Sequence, residues 1–323
     1  MHRDLAPASA ARAVVALALA VALAAALAAC SRGAPGPATA SARSSSAATG
    51  PRVVALISAN AEWKIVRAQL AHPPLHDTPY GEWFVHRLGA EDVIFFHGGY
   101  AKVAAAGSTQ YAIDRWHPAL LVNLGTCGGF GGERKVGDIV LASETTIYDI
   151  IERMGDPDEA IADFRTRLDT SAWPARLAGR VTVAPIISAD RDLDPAAVAQ
   201  LHARFHTGVG DWESGAIAWV AAHNHTRVLV LRGVTDLVDA PGGDPTYNNV
   251  GAWERASVAV MASLIALLGD ALPDLLRPPP PPPPQHPPQL FLSGAGTRPR
   301  PPTASPGRSA TGASSRSSPS PGR

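Results

Sequence analysis

The sequence predicts one three-layer α/β domain over residues 52–276, with a mixed, mostly parallel central sheet flanked by helices. Short apolar runs such as Val53–Ile57, 119–124 and 228–231 are bounded by Gly, Pro or polar residues, which is how strands buried on both faces read. Stretches with apolar residues at helical spacing lie between these runs, and that alternation suits helices wrapped around a largely parallel sheet. The run 119–124 leads directly into Gly125-Thr-Cys-Gly-Gly129, and the functional groups of an open α/β sheet gather at such carboxyl ends.

Val53–Ile57 reads as the first strand. Asn60 can cap a helix to about Leu70, with Trp63, Val66 and Leu70 at helical spacing. Residues 82–88 and 91–97 form a hairpin pair around Gly89-Ala90. Gly98-Gly-Tyr-Ala-Lys102 opens an Ala-rich helix to about Trp116, and Pro118 precedes the central strand at 119–124. Gly125, Gly128 and Gly129 then make a turn whose amides can approach a ligand closely, because these residues lack Cβ. Residues 137–142 are the next strand, and 143–179 are irregular apart from a helix near 159–167. After a strand at 181–187, Asp194-Pro195 supplies an N-cap and a first-position proline for a helix to about Phe205. Gly208-Val-Gly-Asp-Trp-Glu-Ser214 enters a helix to about His223, and the strand after Arg227 ends just before Asp236. The last helix, about 250–268, is apolar on most faces and is expected to be buried.

Both ends fall outside the domain. Arg3 and Arg12 precede a run from Ala13 to Ala29 made wholly of Ala, Val and Leu, which stops at Leu27-Ala-Ala-Cys30. Residues 1–30 resemble a bacterial lipoprotein signal peptide, so Cys30 is the expected lipidation site and the cell envelope the expected location. A plain secretory signal or a membrane anchor is the other reading, with a run that is short for a span. Residues 31–51, rich in Ser, Ala, Gly and Pro, read as a flexible linker. Residues 277–323 include seven consecutive prolines from Pro278, hold six arginines and no acid, and read as a disordered tail. Cys127 is the only other cysteine, which excludes a disulfide framework. Lys plus Arg number 28 and so do Asp plus Glu, so no basic field points to nucleic acid as a partner.

Three acids occupy positions from which chemistry can be built. Asp236 follows a buried strand, Glu213 heads a helix among Trp212, Ile217 and Trp219, and Glu62 lies in the first helical turn after the first strand. A carboxyl among apolar neighbours has a raised pKa and can hold a proton at neutral pH, as a general acid must. Taken singly, Glu62 and Glu213 also read as helix N-terminal acids interacting with the dipole, and Asp236 as a loop cap. His223 and His225 are two apart rather than four, so neither a metal nor another cofactor is indicated.

Six stretches in order, Gly98-Gly-Tyr-Ala-Lys-Val103, Asn123-Leu-Gly-Thr-Cys-Gly-Gly129, Lys135-Val-Gly-Asp138, Ser188-Ala-Asp190, Asp211-Trp-Glu-Ser-Gly-Ala216 and Arg232-Gly-Val-Thr-Asp236, carry a resemblance over residues 52–270. Together they resemble the purine nucleoside phosphorylase and methylthioadenosine/S-adenosylhomocysteine nucleosidase superfamily. The resemblance implies that Asp236, with Thr235 beside it, serves N7 of a purine leaving group. It implies that Glu213, with Trp212 in place of a Met, binds the ribose hydroxyls and favours a cationic sugar. Glu62 is the implied acid for orienting water, while simple alignment sets Trp63 in the family's Glu column. Thr126, Cys127 and Gly128 would line the ribose and water pocket, Arg232 would support Glu213, and Asn123 and Trp212 complete the substrate-binding set. A homo-oligomer, dimer or higher, in which a neighbour helps close the pocket is also implied.

Phosphorolytic members commonly place Arg at the column of Asn123, where a guanidinium grips phosphate. Asn123 is neutral, which makes water the expected nucleophile, with Arg67 and Arg87 as the remaining basic candidates. Members that prefer adenine nucleosides place an aromatic after Ser-Gly-Asp, whereas this chain has Arg191-Asp-Leu193, so a stacking wall must come from elsewhere, such as Trp212. The expected function is hydrolysis of the N-glycosidic bond of a purine nucleoside of the 5'-methylthioadenosine or S-adenosylhomocysteine type. Phosphorolysis and a non-catalytic nucleoside-binding lipoprotein are the alternatives, along with a thiol hydrolase using Cys127 and His97.

Overall fold

The computed structural model describes residues 51–239 and 249–277. The leader with Cys30, the linker up to residue 50 and the tail from 278 lie outside the described residues. In chain order the elements are β1 (Val53–Ile57), α1 (Asn60–Gln69), β2 (His76–Asp77), β3 (Glu82–Leu88), β4 (Glu91–His97), α2 (Ala101–Trp116), β5 (Leu120–Phe130) and β6 (Ile139–Ile147). There follow α3 (Pro157–Ala162), β7 (Arg165–Arg167), a 3-10 turn at Ala175–Arg180, β8 (Thr182–Ser188), α4 (Val198–Phe205), β9 (Val209–Asp211), α5 (Ser214–His223), β10 (Val228–Val238) and α6 (Val250–Leu275).

The strands form one sheet in the order β10-β6-β8-β9-β5-β1-β4-β3-β2, with β7 on β6. Strands β4, β1, β5 and β10 run parallel, as do β6, β8 and β9. Antiparallel pairing appears in the outer β2–β3–β4 unit, at β7, and at the seams β10–β6 and β5–β9. Because β10 pairs with both β5 and β6 while β9 bridges β8 and β5, that half of the sheet closes on itself.

Alternation along β1 sorts the layers, since successive strand residues point to opposite faces. Val53, Ala55 and Ile57 pack with Trp63 and Val66 of α1 and with Met261, Leu264 and Leu268 of α6. Val54 and Leu56 pack on the other face with Ala105 and Ile113 of α2 and with Ile217 and Val220 of α5. Each large apolar side chain fully buried here contributes roughly 1.5–3 kcal/mol. Helix α6 is long and apolar enough by composition to cross a membrane, and half of its apolar window is buried within the fold. Its Leu264, Leu267, Leu268 and Leu272 are fully covered, while Val250 and Val258 face outward.

Several local expectations change. The glycines after residue 124 belong to β5, which runs on to Phe130, so they form a strand and not a turn. Strand β10 likewise continues past Asp236 to Val238. Asn60 lies inside α1, whose N-cap is the extended Ala59; Glu62 reaches back to the Ala59 N–H at 3.4 Å. Asp194 closes a turn by accepting from Ala196 N–H at 2.9 Å, which delays α4 to Val198. The helix sought at 159–167 is shorter and earlier, because Asp156 caps Asp158 and Glu159 and the chain then turns into β7.

Truncating Leu268 to Ala removes a side chain with no exposed surface and is expected to lower unfolding free energy by about 2–5 kcal/mol. Val258→Ser, on the outward face of the same helix, should change it by less than about 0.5 kcal/mol. Equilibrium urea denaturation of both variants reads the difference.

Candidate active site

The site is built where β5, β10 and β9 meet. Strand β10 delivers Arg232, only 1% exposed, into the sheet beside Gly125, its register partner on β5. A Cβ on Gly125 would lie 2.1 Å from Arg232 Nη1 and 3.1 Å from Glu62 Oε1. Glycine is needed there for close approach of two side chains, and the strand geometry is unaffected. Four groups meet the guanidinium: Nη2 donates to Asn123 Oδ1 at 2.8 Å, Nη1 donates to the Thr126 carbonyl at 3.3 Å, Nε lies 2.7 Å from Asp211 Oδ2, and Nη2 lies 3.6 Å from Glu213 Oε2. The Asp211 contact is a close ion pair without hydrogen-bond alignment, since both atoms lack an aligned partner.

Each acid has its own support. Glu62 Oε1 accepts from Thr126 N–H at 2.6 Å and from the Thr126 hydroxyl at 2.7 Å. Asp211 Oδ1 accepts from the Ser188 hydroxyl at 2.6 Å and from Ser214 N–H at 3.2 Å. Glu213 Oε1 accepts from Ala101 N–H at 3.1 Å. At Thr235 the pairing of β10 with β5 shifts by one residue, so Asp236 faces Gly128. Such a bulge re-aims the side chains around it. The Thr235 hydroxyl donates to Asp236 Oδ1 at 2.9 Å, and Asp236 Oδ2 turns towards Gly128.

These groups surround a cavity of about 350 Å³. Glu62, Glu213, Asp236, Thr126, Cys127, Gly128, Trp212 and Thr235 all line it. Asn123 and Arg232, expected to touch substrate, do not: both lie behind the wall, the Asn123 amide donating to the Leu56 carbonyl at 3.2 Å. Trp63 turns into the core, stacking on His97 at 5.4 Å, which leaves Glu62 as the acid of α1 in the cavity. Arg67 and Arg87 pair with Glu82 and Asp92 away from it.

Sequence reasoning passed over Tyr100, Asp211 and Trp253, which also line the cavity. Tyr100 and Asp211 stood inside motifs already singled out; Trp253 sits on α6 with no strand end near it in sequence. Tyr100 and Trp212 pack at 4.7 Å between ring centroids, giving an aromatic wall where Asp192 and Leu193 give none.

Burial pushes Glu213 up to about 8; Arg232 opposes the rise, and Asp211 and Glu62 add to it. Desolvation thus outweighs the ion pair at 3.6 Å. Burial also raises the Cys127 thiol well above its usual range, with Asp211 adding to the effect. That keeps the thiol protonated, and His97, outside the cavity wall, is no base for it. Among the described residues, no cluster of three or more His, Cys, Asp or Glu is arranged to hold a metal ion.

Residues 47–268 match the phosphorylase superfamily. The chain belongs to that superfamily. It is similar to the 5'-methylthioadenosine/S-adenosylhomocysteine nucleosidase of Maridesulfovibrio salexigens, 24% identical over 229 residues that cover 67% of this chain and 98% of the relative. The nucleosidase of the same name from Bacillus subtilis is 26% identical over 198 residues, covering 58% of this chain and 86% of its own. Among solved structures, Arabidopsis thaliana 5'-methylthioadenosine nucleosidase in apo form matches with TM-score 0.57 and 22% identity, over 69% of this chain and 95% of that one. The Neisseria meningitidis 5'-methylthioadenosine/S-adenosylhomocysteine nucleosidase in complex with methylthio-immucillin-A matches with TM-score 0.55 and 21% identity, over 68% and 97%. These structures share the phosphorylase-superfamily fold.

In this superfamily member, Gly125→Ala forces Arg232 and Glu62 apart. It should lower stability by about 1–3 kcal/mol, as overpacking does, and weaken ligand binding with it. Thermal unfolding together with nucleoside binding checks both; wild-type values for both would contradict the close-approach account.

Proposed function

We propose that this chain hydrolyses the N-glycosidic bond of a purine nucleoside of the 5'-methylthioadenosine or S-adenosylhomocysteine type, releasing the free base. The observation that carries the reading is the convergence of Glu62, Glu213 and Asp236 on one cavity, each held by different partners. Relatives across nearly their full length bear the name of that nucleosidase.

The chemistry assigns each acid a task. As C1'–N9 breaks, its electron pair leaves with the base and positive charge builds on the sugar. Asp236 transfers a proton to N7, so the base leaves neutral. Glu213, beside the ribose hydroxyls, stabilises the developing cation in its ionised form, which burial disfavours and which Arg232 and the Ala101 N–H support. Glu62, fixed by Thr126, orients a water and takes its proton as the oxygen bonds C1', which parallels the division of labour between paired carboxyls in glycoside hydrolysis. The products are base and free sugar.

Water is favoured over phosphate because the buried guanidinium of Arg232 is committed to Asp211, Glu213 and Asn123 behind the wall. Arg191, exposed at the rim, is the one basic side chain among the described residues lining the cavity. The base-stacking wall is assigned to Tyr100 and Trp212.

Purified full-length protein is expected to release base and free sugar from methylthioadenosine or S-adenosylhomocysteine without phosphate. Asp236→Asn should slow release by about 10²–10⁴-fold, while Cys127→Ala leaves the rate within a few-fold. Release only in the presence of phosphate would assign phosphorolysis, and binding without release would assign a binding protein.

We also propose that the enzyme acts at the cell envelope through a lipid on Cys30, as a homo-oligomer. The Leu27-Ala-Ala-Cys30 box supports the first, and the outward Val103, Ile151 and Met154 support the second. Cys30→Ala should move the protein from the membrane to the soluble fraction; an unchanged distribution argues against the anchor. Light scattering of the solubilised protein reads its assembly.

A further inference from the structure

Outside the cavity wall, one cluster joins three segments around the site. Lys102 Nζ contacts Asp149 Oδ1 and lies 3.7 Å from Asp190 Oδ2, and the Lys102 N–H donates to Asp190 Oδ1 at 2.9 Å. Asp190 N–H in turn donates to Asp149 Oδ2 at 3.0 Å. Lys102 belongs to the first turn of α2, Asp149 follows β6, and Asp190 follows β8. The side chains of Lys102 and Asp149 are 18% and 19% exposed, so the pair is shielded more than a surface ion pair.

The residue before Lys102 shows what the cluster is for. Ala101 has φ +68°, a left-handed conformation that a residue with Cβ holds only where its surroundings over-determine it. Its N–H is the group that donates to Glu213 Oε1 at 3.1 Å. We propose that Lys102, gripped by Asp149 and Asp190, is a positioning residue that fixes the first turn of α2 so that Ala101 N–H meets the Glu213 carboxylate. The role of Glu213 in turnover rests on the hydrolase reading above; the brace itself does not.

Four titratable or charged groups face Glu213 from the elements packed around it: Arg232 on β10, Asp211 on β9, Glu62 on α1, and Tyr100 just ahead of α2. Of these only Arg232 favours the ionised form, and the Ala101 N–H is the second group that does so. Losing the brace therefore raises the pH at which Glu213 ionises. Removing a charge at a distance does something different. Lys102→Met deletes a positive charge and on that ground alone raises the midpoint, whereas Asp149→Asn deletes a negative charge and lowers it. A broken brace raises it in both.

The test is a carboxyl-carbon titration of full-length protein labelled with ¹³C-glutamate, the Glu213 resonance being assigned from its loss in Glu213→Gln. The midpoint should rise by about half a unit or more in both Lys102→Met and Asp149→Asn, and stay at the wild-type value in Lys102→Arg. Opposite shifts in the two variants, or no shift in either, would overturn the brace. Should Lys102→Met not fold, Asp149→Asn and Asp190→Asn decide by the same sign. With substrate, kcat should fall by more than KM rises. The titration reads whether or not the protein turns over, so a wild type that releases no base removes the hydrolase reading and leaves the brace standing on its own result.

Discussion

A guanidinium shut out of water is the constraint around which this molecule is arranged. Arg232 cannot be neutralised by giving up its proton, so the surrounding chain must supply carboxylates and carbonyls at bonding distance. Asp211, Glu213, Asn123 and the Thr126 carbonyl do so from β9, the head of α5 and β5. Gly125 exists in its present form because no side chain fits beside that group. The partial closure of the sheet belongs to the same requirement, since β9 has to reach β5 for Asp211 to face β10.

The same cluster leaves the acids unequal. Two carboxylates share one buried cation, and the more distant of them, Glu213, loses more by desolvation than the ion pair returns. Glu62 is met instead by Thr126, through backbone and hydroxyl together, and Asp236 by its neighbour Thr235. Three carboxyl groups within one cavity thereby acquire different environments, which is the condition under which one pocket can give like groups different protonation states at one pH.

Much of this was legible in the chain. The alternating apolar runs gave the layered α/β architecture, and the hairpin of β3 and β4 lies where its turn residues put it. Eight residues expected near the substrate do line one cavity. The glycine run was misread because glycine has two uses, left-handed turns and close approach, and only tertiary contacts separate them. Asn123 was placed in the pocket by its column, whereas its side chain is claimed by Arg232. The choice between Glu62 and Trp63 turned on a helical phase set by Ala59, which alignment does not carry. Trp253 was out of reach for a plainer reason: nothing local on α6 announces what the sheet edge opposite will present to it.

Strand β10 holds its arginine and its acid four residues apart, separated by one irregular residue. Inserting or deleting a residue there would send Asp236 to the opposite side of the sheet, so the spacing of charge and acid is as invariant as covalent geometry. Tyr100, Trp253 and Arg191 stand under no such restriction. A lineage built on this scaffold is therefore free to change which molecule it admits by editing rings and rim charges, while the reacting centre stays locked in one register.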